Sequence, residues 1–155
     1  MTTEEIIDLI KKNKFGEAEA ALYELRKADR HSTMVSYLFG CLTAAYGNPK
    51  RSTTQAREFF THAVNGSPPI EQAFVELSIL EDHTSHSLRI VSKGLTLFPD
   101  SRTLYELALR FRPPHEKETL FLWAKAKGMV SDENRAEMAS NYVELRQFDK
   151  ALTFL

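Results

Sequence analysis

The sequence predicts an all-α protein, built as an α-solenoid of about five antiparallel helix pairs. Three observations lead to this prediction. Apolar residues recur at intervals of three and four, as on one face of a helix, and no stretch alternates in the manner of a strand. The links between the periodic stretches are short. Helix pairs of similar sequence also return along the chain.

Capping and stop signals divide the chain into ten predicted helices. A capping box, Thr2-x-x-Glu5, begins the first helix. The third helix is apolar all round, which predicts burial on more than one side or the wall of an apolar groove. Gly66 is expected to end the fourth helix in a left-handed conformation. The helices are predicted at about 2–13, 15–29, 32–46, 52–65, 67–82, 85–97, 100–113, 115–127, 131–143 and 148–155.

Prolines define the helix boundaries in the second half of the chain. Ser67-Pro68-Pro69 predicts the start of the fifth helix, because serine caps helices and proline suits the first helical position. Ser101 or the residue before it caps the seventh helix, and Pro113-Pro114 ends that helix. Gly128 is expected to stop the eighth helix.

A recurring spacing relates the two ends of the chain. Phe15, Ala18 and Leu22 have the spacing of Phe148, Ala151 and Leu155, and 133 residues separate the two sets. Four periods of about 33 residues fill this interval. The first core position of each second helix then falls at residue 18, 56, 87, 119 or 151. In the eighth helix, Leu120, Trp123 and Ala126 are expected to point inward. First helices carry a small residue where two backbones cross: Gly40, Ser78, Ala108 and Ala139.

The last helix pair shows the pattern most clearly. Met138, Ala139 and Tyr142 share one helix face and precede Phe148 and Ala151. This arrangement resembles the tetratricopeptide repeat (TPR), which has Leu-Gly and Tyr in its first helix and Ala-x-x-x-Phe in its second. The resemblance implies a right-handed superhelix and a single repeat domain over residues 1–155. Its units are expected at about 2–31, 32–67, 68–99, 100–130 and 131–155, the last of them incomplete.

Composition excludes several classes of function. The 155 residues are 43% hydrophobic, which is enough for one continuous core. Because 20 basic residues balance 21 acidic ones, no global field recruits nucleic acid or an anionic membrane. The single cysteine excludes an internal disulfide, and no segment reads as a signal peptide or a membrane span. We therefore predict a cytoplasmic protein without direct nucleic-acid contacts or membrane insertion.

No assembled catalytic set is visible, and we predict a non-catalytic protein without cofactor or metal. The strongest cluster is His83 and His86 beside two acidic residues, which has the chemistry of metal ligands. A solvated polar link between helices is the commoner explanation of such a cluster. Cys41 lies in an apolar helix with no positioned histidine, which indicates a buried or groove-lining thiol rather than a nucleophile.

The TPR resemblance implies a protein-interaction scaffold. In that family the first helices line a concave groove, so we expect a peptide or a partner helix to bind there. The alternative is that these side chains pack only on one another. The expected groove residues are Tyr37, Cys41, Ala44, Gln72, Val75, Ile79, Arg102, Tyr105, Leu109, Arg112, Ala136, Ser140 and Val143.

Two alternatives concern the wider protein. Ala56-Arg57 also resembles the half-a-TPR repeat of RNA-processing scaffolds. The units are also compatible with the N-terminal TPR module of a larger enzyme, of the glycosyltransferase or methyltransferase type. Large apolar residues crowd the last helix and need cover, which could come from a continuation of the chain, from a second copy in a homodimer or from a bound partner. The self-association residues are expected to be Tyr142, Leu152, Phe154 and Leu155.

Overall fold

A computed structural model describes residues 1–155 and shows ten α-helices, one short 3-10 helix and no strand. This confirms the predicted all-α class. The chain forms two compact units, an N-terminal unit (Met1–Glu81) and a C-terminal unit (Asp82–Leu155). The helices are α1 (Thr3–Lys11), α2 (Phe15–Ala28), α3 (Thr33–Ala44), α4 (Thr53–Asn65), α5 (Glu71–Leu80), α6 (Thr84–Leu97), α7 (Arg102–Phe111), α8 (Lys117–Ala126), α9 (Asp132–Glu144) and α10 (Phe148–Leu152), with the 3-10 helix at Pro114–Glu116.

The core of the N-terminal unit forms where α3 covers the pair α1 and α2. Ile6 of α1 and Leu22 of α2 meet Leu38, Phe39 and Leu42 of α3, and all five side chains are buried. On its other side α3 packs against α4. Burial on several sides explains why α3 is apolar all round and confirms that prediction.

Gly40 permits the close approach of α3 and α4. A Cβ atom placed on Gly40 would lie 2.5 Å from Cε1 of Phe60, whose side chain is fully buried. The equivalent small residues of later first helices, Ser78, Ala108 and Ala139, are buried as well. The predicted role of these positions, space for a neighbouring helix, is confirmed by contact at Gly40 and by burial at the other three.

Two of the predicted N-terminal caps are present, those of α1 and α7. The Glu5 amide donates to Thr2 Oγ1 (3.2 Å), and the Thr2 amide donates to Glu5 Oε2 (2.9 Å). Together these two bonds form the capping box. Ser101 caps α7 by accepting from the Leu104 amide at 3.3 Å.

The first and last helix pairs are joined by the same main-chain turn. Asn13 and Arg146, 133 residues apart, both have left-handed backbone, with φ of 60° and 57°. The amide after each one donates back to a carbonyl of the first helix: Lys14 to Leu9 (2.9 Å) and Gln147 to Tyr142 (2.7 Å). The sequence repeat is therefore matched by a repeat in backbone geometry.

Two predictions around the fourth link are wrong. Gly66 ends α4 with φ −82°, so it is not left-handed. Glycine is needed there because a Cβ atom would collide with the Thr33 methyl group. Ser67 does not cap α5, which begins at Glu71, because the chain first turns so that the Ile70 amide donates to Ala63 O (3.0 Å).

The predicted register of α8 is off by one residue. Thr119 is exposed, and the buried anchor is Leu120, which packs inward together with Phe121 and Ala124. Trp123, which was expected to be inward, is 38% exposed, and the side chain of Ala126 is exposed as well. The chain passes through the 3-10 helix Pro114–Glu116 immediately before α8.

Candidate protein-interaction site

The expected groove residues of the N-terminal unit lie on α3 and α5. Tyr37, Cys41 and Ala44 form a half-buried row on α3, whereas Gln72 and Ile79 on α5 are exposed. Val75, between them, is buried. It is therefore a core residue, and it is not part of an exposed groove wall.

The α3 row contains no side chain that is ionised at physiological pH. Burial raises the pKa of Cys41 to about 11, and burial together with the adjacent Cys41 raises the pKa of Tyr37 as well. Both groups are therefore neutral at physiological pH. The Tyr37 ring also packs against Phe60, with 6.0 Å between ring centroids. A thiol with this pKa is a poor nucleophile, and the row presents an apolar surface.

In the C-terminal unit, two expected groove residues belong to the core instead. Tyr105 and Leu109 are completely buried, together with Leu104 and Ala108 on the same helix. Burial raises the pKa of Tyr105 to about 12, and the nearby carboxylate of Glu137 adds to the shift. The prediction was wrong here because α7 packs against both α6 and α8, which hides more of its circumference than one helix face.

The two expected arginines lie apart from each other. Arg102, at the start of α7, is exposed, and its Nη2 donates to Gly128 O at 3.4 Å. Arg112, just after α7, lines a separate cleft with Leu95 of α6 and Trp123 of α8. The structure does not bring them together as one rim.

The residues that the structure does bring together form an open groove between α9 and α10, with a volume of about 640 Å³. Three of them were expected to bind a peptide, and two others were expected to mediate self-association. The groove has mainly aliphatic and aromatic walls and one carboxylate, Glu144, at its edge. It is lined by Ala136, Ala139, Ser140, Val143, Glu144, Phe148, Ala151, Leu152 and Leu155.

The other two expected self-association residues face their own unit. Phe154 stacks on Tyr142 (5.3 Å between centroids, 18° between planes) and meets Phe121 edge to face (5.3 Å, 83°). Tyr142 is consequently buried. The chain after α10 folds back over α8 and α9, which corrects the expectation that Phe154 is uncovered.

The groove is equivalent to a surface that is covered elsewhere in the chain. By the 133-residue repeat, Ala139, Ala151 and Leu155 correspond to Ile6, Ala18 and Leu22. These three residues of α1 and α2 belong to the core that α3 covers. Ser140, Val143 and Phe148 correspond in the same way to Ile7, Ile10 and Phe15, which pack against that core.

Exposure shows how the two surfaces differ. Leu22 is 0% exposed beneath α3, whereas its equivalent, Leu155, is 84% exposed. Phe148 is 59% exposed and Leu152 is 68% exposed. Phe148 was predicted only as a packing residue. Its correspondence to Phe15, which packs against the helix that follows, was the sequence signal for its place in the groove.

The remaining chemistry-bearing cluster shows no ligand set. The rings of His83 and His86 pack edge to face, with 5.4 Å between centroids. Nowhere in the chain do three or more His, Cys, Asp or Glu side chains gather in a way that would hold a metal ion. None of the ten helices combines the length and the apolar character required to cross a membrane.

Comparisons with known proteins show the fold alone. No protein-family model matches the chain, and no curated protein sequence matches it. Among solved structures, the chain is similar to pilF of Pseudomonas aeruginosa, with a TM-score of 0.74. Identity is 12%, and the match covers 98% of this chain and 71% of that one. The chain therefore has the fold of a TPR-like helical repeat protein.

Proposed function

We propose that this chain is a non-catalytic interaction scaffold whose α9/α10 groove binds an amphipathic helix of a partner protein. One observation supports the proposal above all others: six of the nine residues that line the groove correspond, at the 133-residue offset, to α1 and α2 residues of the core that already holds a helix, α3. Other positions on first helices, such as the half-buried Tyr37 and the exposed Ile79, remain a predicted secondary contact surface. The free thiol of Cys41 is consistent with residence in the cytoplasm, which is part of the proposal.

The packing of α3 on α1 and α2 indicates which side chains a partner helix would need. On α3 the contact is made by Val35, Leu38, Phe39 and Leu42, an apolar stripe at intervals of three and four. A partner helix with such a stripe would cover Phe148 and Leu155. Each large apolar side chain that becomes fully buried contributes about 1.5–3 kcal/mol before the entropic cost of association. The carboxylate of Glu144 favours a basic residue beside the stripe.

The test uses a short amphipathic peptide with the stripe spacing of α3 on a background of Lys and Ala. We expect saturable binding by isothermal titration calorimetry and NMR shifts at Val143, Phe148 and Leu155. Leu155→Glu should abolish binding, because it places a charge in the apolar groove. The matched control is Leu122→Glu on α8, since Leu122 is also exposed, at 51%, but does not line the groove.

Two results would contradict the proposal. Equal loss of binding in the Leu155 and Leu122 variants would show that the peptide binds exposed apolar residues without selection. If the groove instead holds a second copy of the chain, sedimentation velocity will show a dimer that Leu155→Glu dissociates. In that case homodimerisation, and not a partner helix, is the function of the groove.

A further inference from the structure

The N-terminal unit carries a second candidate site. Its lining is mainly basic and polar, whereas that of the α9/α10 groove is mainly apolar. Arg26 on α2 lies over two aromatic rings, 4.9 Å from the centroid of Tyr23 and 4.7 Å from that of Phe39. These contacts hold the guanidinium over the two rings. Because Arg26 has no carboxylate partner, its N–H groups can donate to a ligand.

Arg30 lies in the turn just after α2, four residues beyond Arg26, and it also lacks a carboxylate partner. Two acidic residues close to these arginines in sequence have other partners: Glu24 pairs with Lys27 (2.8 Å), and Asp29 accepts from the His31 amide (3.0 Å). Two guanidinium groups without carboxylate partners that line one cleft are suited to recognise an oxyanion.

The two arginines open onto a cleft and not onto a flat surface. An open space of about 510 Å³ lies between α2 and α4, and a second of about 450 Å³ shares both arginines. Neutral hydrogen-bonding groups on α3 and α4 complete the wall. Ser36 Oγ and His62 Nδ1 are 2.7 Å apart, and Gln55 lines the same cleft. When Ser36 donates to Nδ1, the imidazole hydrogen is on Nε2, a further donor for an oxyanion.

We propose that this cleft binds the phosphoryl group of a phosphorylated peptide. A dianion with three terminal oxygens matches two guanidinium groups and several neutral donors better than a single carboxylate does. The recessed shape favours a side chain of an extended peptide over the headgroups of a membrane. One carboxylate, Glu58, lines the cleft and opposes anion binding. This site is independent of the α9/α10 groove and of the function proposed for it.

The test uses a blocked peptide with a central phosphoserine, compared with its serine and glutamate forms. Binding is measured by isothermal titration calorimetry and by NMR shifts of Arg26, Arg30 and His62. We expect Arg26→Gln and Arg30→Gln each to weaken phosphopeptide binding roughly ten- to a hundredfold. Glu58→Gln should strengthen it. Arg30→Gln is the safer variant, because Arg30 is exposed and packs on no ring.

The control is Arg89→Gln on α6, an exposed arginine outside the cleft, which should leave binding unchanged. Equal affinity for the glutamate and phosphoserine peptides would overturn the assignment of a phosphoryl group. Equal loss in the Arg89 and Arg30 variants would show only general charge attraction, and it would overturn the site. Stronger cosedimentation with phosphatidylserine vesicles than binding to the peptide, lost in Arg30→Gln, would assign the cleft to a membrane surface instead.

Discussion

Replacement of Gly40 by alanine sets two effects of opposite sign against each other. In the interior of a helix, Gly→Ala gains about 0.8–1.0 kcal/mol of helix propensity. Here the new methyl group would lie within 2.5–2.9 Å of three carbons of the Phe60 ring. Phe60 is fully buried and cannot rotate into solvent. Overpacking of this kind costs about 1–3 kcal/mol, and a displaced aromatic ring places the cost toward the upper end.

We therefore expect Gly40→Ala to lower the free energy of unfolding by about 1–2 kcal/mol, measured by urea denaturation followed by circular dichroism. A second variant tests the cause. Phe60→Leu shortens the opposing side chain, and in that background Gly40→Ala should cost at least about 1 kcal/mol less. The coupling would assign the loss to the contact between the two residues.

The matched control is Gly16→Ala. Gly16 lies in the first turn of α2, and a Cβ atom there meets nothing within 4 Å. Gly16→Ala should raise the free energy of unfolding by up to about 1 kcal/mol, because only the helix propensity changes. If Gly40→Ala stabilised the protein as Gly16→Ala does, the reasoning about close approach of α3 and α4 would be refuted.

Three further predictions follow from single residues. Cys41, with its pKa of about 11, should react slowly with iodoacetamide at neutral pH. The reaction rate should rise through about pH 11 as the thiolate forms. A rate that already reaches its plateau below pH 9 would contradict the burial of this thiol. The Tyr105 hydroxyl is buried without a hydrogen-bond partner, so Tyr105→Phe should leave the free energy of unfolding unchanged or raise it. Tyr105→Ala, which removes the buried ring, should lower the free energy of unfolding by about 3–5 kcal/mol. Because Arg146 has left-handed backbone, Arg146→Gly should raise the free energy of unfolding by about 1 kcal/mol, and Asn13→Arg should lower it. A loss of stability in Arg146→Gly together with a gain in Asn13→Arg would show that backbone strain does not decide the two positions.

The helices were predictable because their signals are local. The Thr2–Glu5 capping box, the Ser101 cap and the periodic apolar positions all act within a few residues, and the structure contains each of them. The helix-pair repeat was also visible, since the spacing of Phe15 and Ala18 returns at Phe148 and Ala151. Fold class follows from such short-range patterns.

The candidate site was predictable only in part. Ala136, Ser140 and Val143 do line a groove, but Tyr105 and Leu109 occupy similar helix positions and are buried. The difference depends on how many neighbours a helix has, which no local pattern records. The register of α8 and the return of the chain over α8 and α9 likewise depend on turns whose geometry is set by contacts distant in sequence.

The Arg26 cleft was missed for a different reason. Tyr23 and Arg26 are three residues apart on α2, so their proximity could have been read from spacing, and Arg30 follows just beyond the end of that helix. What the sequence does not contain is the position of Phe39 beneath the guanidinium and of His62 across the cleft. Both positions result from the packing of α3 and α4 against α2.

The repeated turns at Asn13 and Arg146 determine which kinds of mutation the chain tolerates. Their hydrogen bonds join main-chain atoms only, so a change of side chain leaves each turn closed. A change of length is different, because one inserted residue would rotate the following helix by about 100° and move its apolar face out of the core. Substitutions by residues that tolerate left-handed backbone can therefore accumulate at these turns, whereas insertions and deletions cannot.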